Sequence, residues 1–418
     1  MKVLLVGGGG REHALGWKLR QSSRVDELIS LPGNPGLAEL GTVVEGIDPT
    51  NAGAVANVAV QLSVDLVVVG PEAPLEAGVV DTLTARQIPV WGPTRAAARL
   101  ESSKTFAKEV MNRAGLATAG WGSFTEEEPA RAFLSGRPGP FVVKADGLAA
   151  GKGVLVTDNR NEAEEWVRRC LAGKFGRAVV VIEDHLPGPE VSVFALCAGI
   201  EAVALEPARD YKRLLDGDRG PNTGGMGSYS PVHDLPDGLV DHTLDRVIRP
   251  VLETMAAEGN PYTGFLYAGL VLTPSGPQVL EFNCRLGDPE TQVVLPRMET
   301  DLVELIEAGM GRNLTKMSIN WSVDSAVNVV VAAGGYPEGP RTGDPVKIGR
   351  LPKRAMVFHA GTSRDGSGLV SSGGRVLNVV GLGDTLEAAT ATAYSAVGAI
   401  SLPGMQYRRD IARQPLFA

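Results

Sequence analysis

Only three cysteines occur in 418 residues, Cys170, Cys197 and Cys284, and no two of them form a Cys-x-x-Cys pair. A disulfide framework and a structural thiolate zinc site are thereby excluded, which fits a reducing compartment. Histidines number five, too few for a His-based metal centre, and His359 reads as an ordinary satisfied side chain on a strand. Basic residues fall short of acidic ones, 40 against 48, for a net charge of −8. That balance argues against a general nucleic-acid binder and leaves any anionic substrate to be held by local donors. No apolar run approaches membrane-spanning length, and Met1-Lys2 leads into a short strand without the apolar core of a secretory leader. The expectation is a cytoplasmic protein with neither membrane nor nucleic acid as partner.

What is present points to an enzyme. Hydrophobic residues at 44%, charged residues at 21% and 52 glycines describe a loop-rich α/β protein, long enough for two to four domains. Residues 3–6 read as a buried strand, followed by Gly7-Gly8-Gly9-Gly10 and a helix with Leu15 and Leu19 on one side. Strand, glycine turn and helix start can cradle a phosphate. The dinucleotide fingerprint is not met, because Glu12 or His13 stands where a third glycine belongs and no acid follows the second strand near 28–31. A nicotinamide cofactor is not expected. The strand 65–69 ends in Gly70-Pro71-Glu72, again a small-residue tip of the kind that lines a ligand crevice. Packing alone would account for any one such loop; with Pro32-Gly33-Asn34-Pro35-Gly36 there are three.

Residues 101–108 read as helix, with a stop at Ala114-Gly115, and taken alone Lys104 is a solvated lysine. Residues 141–156 are two strands joined by Gly147-Leu148-Ala149-Ala150-Gly151-Lys152-Gly153. The spacing is wrong for a Walker loop, and Gly153 replaces the Ser or Thr that holds magnesium. It suits a flap closing over polyphosphate, with Lys144 from the strand and Lys152 from the tip. The strand 178–182 ends in Glu183-Asp184-His185-Leu186, whose backbone suits an adenine edge with a carboxylate near its amino group, and Glu190 lies within reach of a ribose. Residues 208–227 carry too many charges and glycines for a packed element and read as an irregular active-site loop bearing Asp210, Lys212 and Arg213. A hairpin about 273–277 delivers Glu281 and Asn283 to one strand face, where both can ligate a hard cation, Mg²⁺ by preference. Arg285 follows at the same spacing, and a cation beside a guanidinium suits phosphoryl transfer. Taken alone, this triplet reads equally as an exposed polar strand end. Cys284 points to the opposite face. From about Ser325 onward, short strands and a final helix form a small α+β domain.

In order, Gly-Gly-Arg-Glu-His, Lys-Ala-Asp-Gly-Leu-Ala-Ala-Gly-Lys-Gly, Arg-Asp-Tyr-Lys-Arg, Gly-Pro-Asn-Thr-Gly-Gly-Met-Gly and Arg-Leu-Gly-Asp-Pro-Glu resemble the phosphoribosylamine-glycine ligase family of the ATP-grasp superfamily. The likeness runs from Met1 to about Ala418 and is to the monofunctional form. It implies an α/β and α+β multidomain fold. A Rossmann-like substrate-binding domain would span 1–103, an ATP-grasp core 104–120 and 193–324, a lid 121–192, and an α+β C-terminal domain 325–418. It implies ATP, glycine and 5-phosphoribosylamine as ligands and glycinamide ribonucleotide, ADP and phosphate as products, through glycyl phosphate. By motif, Lys104, Lys144, Gly147, Gly151, Lys152, Gly153, Glu183, Leu186 and Glu190 resemble ATP contacts. Glu281 and Asn283 resemble ligands of Mg²⁺ or Mn²⁺, while 267–270 lacks the further carboxylate many relatives carry there. Arg285 and Lys144 would balance phosphoryl charge, Asp210 would hold the glycine ammonium with Lys212 beside it, and Gly9, Gly10, Glu12, Gly70, Pro71 and Glu72 would receive phosphoribosylamine. A monomer is expected, with a weak homodimer as the alternative. Two rivals are a purine-pathway ATP-grasp ligase using formate or bicarbonate, and a non-catalytic ATP-sensing module.

Overall fold

The computed structural model describes residues 1–149, 153–366 and 368–413. Runs such as 3–6 and 66–69 are apolar without alternation because they are buried on both faces, the mark of a parallel sheet. They form the middle of five parallel strands in the spatial order Thr42–Val43, Glu27–Pro32, Lys2–Gly7, Leu66–Val69, Val90–Trp91. The strand order reverses between Lys2–Gly7 and Leu66–Val69, so the loops beginning at Gly7 and Gly70 flank one crevice.

The central sheet is antiparallel, in the order Glu201–Ala204, Glu190–Ala198, Thr263–Thr273, Gly276–Asn283. A register shift beside Gly269 sets Glu281 opposite Gly269 and Asn283 opposite Tyr267. A second antiparallel sheet, Trp121–Phe124, Val180–Asp184, Phe141–Ala145 and Val154–Thr157, packs two helices over a small core of its own around Leu134, Val143 and Val167. The lid was expected to run to residue 192. Glu190 already pairs with Val271 and Val191 with Leu270, so the chain has joined the central sheet by residue 190.

The stretch 208–227, read as an irregular loop, is corrected. It folds into the strands Arg209–Asp210, Arg213–Leu215 and Arg219–Asn222, and the strand Gly227–Ser230 follows. Its charges are tolerated because the chain's last turns supply partners that local spacing does not reveal. Arg408 lies 2.6 Å from Asp218, and the Arg409 N–H donates to Asp216 at 2.7 Å. Arg209–Asp210 and Gly227–Ser230 then join Ser325–Ala332, Arg375–Gly383 and Ala355–His359 in one antiparallel sheet. The C-terminal unit is therefore not built from residue 325 onward alone. Among the described residues, no helix is long and apolar enough to cross a membrane.

Candidate active site

The glycine loop at the first strand end is closed by its own helix. Glu12 is 2% exposed and turns back so that its Oε2 accepts the Gly9 N–H at 2.7 Å, while Oε1 lies 2.5 Å from Arg11 Nε. A Cβ on Gly7 or Gly70 would overlap the Glu12 side chain, so these glycines leave room for a carboxylate in the crevice. Glu12, expected to meet substrate, is thus engaged by its own loop. Gly10 packs on the C-terminal unit, where a Cβ would overlap Asn378. After Gly70 and Pro71 a short helix begins at Glu72, whose carboxylate lies 3.2 Å from Arg285 Nε and 3.5 Å from Arg11. Burial works against that charge, but Arg285 and Arg11 outweigh it and hold the Glu72 carboxyl at about 2.

Four cations bear on the strand tip: Lys104 from a helix, Lys144 from a strand, Lys212 from the connection after Arg209–Asp210, and Arg285 from the bend just past the tip strand. Burial by itself would raise the Glu281 carboxyl, yet Lys212, Lys144, Lys104 and Arg285 together hold it below its ordinary value. Lys104 opens the helix Lys104–Arg113, and its Nζ donates to the Gly147 carbonyl at 3.1 Å, so it is no solvated lysine. Burial pulls its pKa down. Arg285 lies 2.8 Å from Glu101 Oε1; burial disfavours its charge, but Glu101 and Glu72 raise its pKa overall. Burial pushes Glu101 itself up to about 7 against the pull of Arg285. Cys284 does face away, its Sγ 3.6 Å from the Ala98 carbonyl.

Two residues expected to contact nucleotide, Glu183 and Glu190, are held in ion pairs. Glu183 is 3% exposed, with Lys108 Nζ 2.8 Å from one oxygen and Lys144 Nζ 2.7 Å from the other. Its carboxylate, one residue short of the end of Val180–Asp184, therefore ties the helix Lys104–Arg113 to the strand Phe141–Ala145. Glu190, at the start of Glu190–Ala198, is paired with Lys212. Leu186 is half-buried just beyond the strand. Gly147 has φ +133, and Gly153 accepts the Ala145 N–H at 2.8 Å, while Gly151 and Lys152 lie outside the described residues. Asp210 is raised by burial, with Glu290, Glu190 and Glu281 adding and Lys212 opposing.

For a metal, the donor set is a half-buried ionised carboxylate and an amide two residues along one strand, both hard oxygen donors. Among the described residues, no three His, Cys, Asp or Glu side chains converge on one point. The pair nonetheless fits a cation that takes its other ligands from phosphate and water, the habit of magnesium. Tyr267, opposite Asn283, contributes a hydroxyl that accepts from Ser192 at 3.1 Å and no carboxylate.

Three family profiles match in sequence order: phosphoribosylglycinamide synthetase N domain over residues 1–101, its ATP-grasp (A) domain over 102–291, and its C domain over 326–414. The chain belongs to the phosphoribosylglycinamide synthetase family. It is 48% identical to the phosphoribosylamine–glycine ligase of Caulobacter vibrioides over 422 aligned positions, which cover 100% of this chain and 99% of that one. The crystal structure of the Thermotoga maritima phosphoribosylamine–glycine ligase is similar at a TM-score of 0.86 and 36% identity, over 98% of this chain and 100% of that one. A Campylobacter jejuni biotin carboxylase solved with a β,γ-ATP ligand reaches a TM-score of 0.74 over 97% of this chain and 92% of its own, but at 16% identity it shares the fold alone.

Glu101, the last residue of the N-domain match, and Lys108 and Glu290 in the ATP-grasp match were given no role from sequence. Lys104 and Lys108 are four apart and share one helix face, a spacing that could have drawn attention to Lys108. Glu101 lies on a separate short helix, Arg99–Ser102, and Glu290 on a turn, where no periodicity aims a side chain. Glu290 is reached by the Ser192 hydroxyl at 2.9 Å.

Proposed function

We propose that Glu281, Asn283 and the cations gathered about them form the phosphoryl-transfer centre of an ATP-dependent ligase. The chain joins glycine to 5-phosphoribosylamine in purine biosynthesis, with ADP and phosphate as the other products. The observation that carries the site assignment is that Lys104, Lys144, Lys212 and Arg285 all stabilise the charge of one half-buried carboxylate, Glu281. Structure alone seldom keeps so much positive charge in one place, whereas a triphosphate needs it.

A carboxylate is a poor acyl donor, so a glycine carboxylate oxygen first takes the γ-phosphoryl group and ADP leaves. The ribosylamine nitrogen then attacks the carbonyl carbon of glycyl phosphate, phosphate departs, and the nitrogen gives up a proton. Lys144 and Arg285 offset the charge that builds on the transferring group. Asp210, destabilised as an anion by Glu290, Glu190 and Glu281, gains a counter-ion when the glycine ammonium binds, with Lys212 fixing its neighbour Glu190. The Gly9, Gly10, Gly70, Pro71 and Glu72 crevice takes phosphoribosylamine, joined to the centre through the Glu72–Arg285 ion pair. A divalent cation on Glu281 and Asn283 supplies charge neutralisation for the phosphates, and Mg²⁺ is the assignment over Mn²⁺ on hardness. The chain works as a monomer in the cytoplasm. No protein nucleophile is required, in keeping with a Cys284 packed away from the tip.

The decisive experiment places ¹⁸O in the glycine carboxylate and follows it into released phosphate; phosphate without label rejects the acyl-phosphate route. An ADP-release assay offering glycine, formate and bicarbonate in turn beside phosphoribosylamine is expected to respond to glycine alone. Release driven by either of the others favours the rival ligase, and ADP release with none of them removes the ligase reading.

A further inference from the structure

One buried carboxylate holds three consecutive residues of the strand tip. Glu101 Oε2 accepts the Cys284 N–H at 2.7 Å, and Oε1 lies 2.8 Å from Arg285 Nη2. In the amide orientation that gives both ends of Asn283 partners, its Nδ2 donates to Glu101 Oε1 at 3.1 Å and to the Phe282 carbonyl at 3.2 Å. Glu101 itself does not belong to the pair expected to ligate metal. Its helix, Arg99–Ser102, lies where the N-terminal and ATP-grasp family profiles meet.

An asparagine amide has a donor end and an acceptor end of nearly equal size. A hard cation takes the oxygen and repels the NH₂ group, so only one of the two orientations can ligate. In its ionised form, which the Arg285 guanidinium at 2.8 Å favours, the Glu101 carboxylate offers acceptors only. It therefore captures the nitrogen and turns the oxygen to the other side, whereas a neutral amide in its place could hold either end.

We propose that Glu101 is a positioning residue that selects the amide orientation of Asn283 and so sets the metal affinity of the strand tip. Its second oxygen, on the Cys284 N–H, keeps the backbone between Asn283 and Arg285 in register while this is done. The inference rests on the reading of Asn283 as a metal ligand, and the test separates the two.

The probe is Mn²⁺, titrated into the full chain with ADP present and followed by the electron paramagnetic resonance signal of the free ion. Glu101→Gln is expected to weaken Mn²⁺ binding by about tenfold or more, the usual effect of losing a partner that orients a ligand. Glu101→Gln/Asn283→Asp is expected to recover most of that loss, because a carboxylate has an oxygen at each end and needs no selection. Unchanged binding in the single variant, or a double variant no tighter than the single, overturns the proposal. Should Glu101→Gln melt too early to titrate, the double variant is compared with Asn283→Asp alone, where two carboxylates would face one another. The double must then bind more tightly, and the reverse order overturns the proposal. Asn283→Leu distinguishes the failures. If it binds Mn²⁺ like the unaltered chain, the metal reading itself is wrong; if it loses Mn²⁺ while Glu101→Gln does not, only the role of Glu101 falls.

Discussion

Glu183 stands between Lys108 and Lys144 with almost no solvent contact, so its removal leaves two lysines buried without a counter-charge. Breaking such a group typically costs about 3–5 kcal/mol, and Glu183→Ala should lower unfolding stability by that order in urea titrations. A loss confined to nucleotide affinity would instead restore Glu183 to the adenine site. Glu281→Gln removes the charge on which four cations bear but keeps the side chain's shape. It should leave the fold intact and raise the magnesium concentration needed for half-maximal rate, and an unaltered magnesium requirement would take Glu281 out of the site. At this scale the sequence was a partial guide. The shared face of Glu281 and Asn283 was legible because strand alternation dictates it. The true partners of Glu12, Glu183 and Glu190 were not, since each carboxylate is satisfied by a neighbour whose direction no spacing rule supplies.

Among the elements, the turn entering Gly227–Ser230 shows how backbone shape serves the site. Gly225 has φ +107, and a Cβ there would overlap the Pro289 ring beside Asp288 and Glu290. Gly238 also has a positive φ, +71, but nothing lies within 4 Å of its Cβ position. Gly238→Ala should therefore cost only the left-handed penalty, about 1–2 kcal/mol, and keep kcat. Gly225→Ala should cost more and depress kcat by displacing the Asp288-Pro289-Glu290 turn. Equal behaviour of the two in thermal melts and rate assays would remove the steric argument. Arg375 fixes the same region, reaching Asp288 Oδ2 at 2.8 Å from the C-terminal unit. The strands around Gly225 escaped the sequence reading because charge and glycine content normally mark loops. Their partners lie nearly two hundred positions away, at Asp410 for the Gly217 N–H and Arg409 for Asp216.

Across the whole molecule, the N-terminal and C-terminal units meet at His13, whose Nδ1 accepts the His359 N–H at 2.8 Å. Burial pushes His13 down to about 3, with His359 adding, and burial likewise pushes His359 down to about 4, with Arg364 adding. Both are neutral when folded, whereas in the unfolded chain they take up protons near pH 6.5. Stability from this contact is thus complete above about pH 6.5 and falls on acidification toward 4, by about 1.4 kcal/mol per pH unit for each histidine. His13→Gln should give a shallower slope of stability against pH in urea titrations between about pH 7 and pH 5. Parallel slopes would rule out a titrating contact there.

The sequence by itself determined the buried strands of the first sheet, the strands flanking the glycine loop, the shared face of Glu281 and Asn283 and the family, because each is written in contiguous apolar runs, local alternation or contiguous motifs. Tertiary structure alone decided that the stretch 208–227 forms strands, that Glu12 turns back onto its own loop, and that Glu101 grips the tip. In each case the deciding force is pairing of buried charge or backbone across a long separation in the chain, and that is set only once the units have packed together.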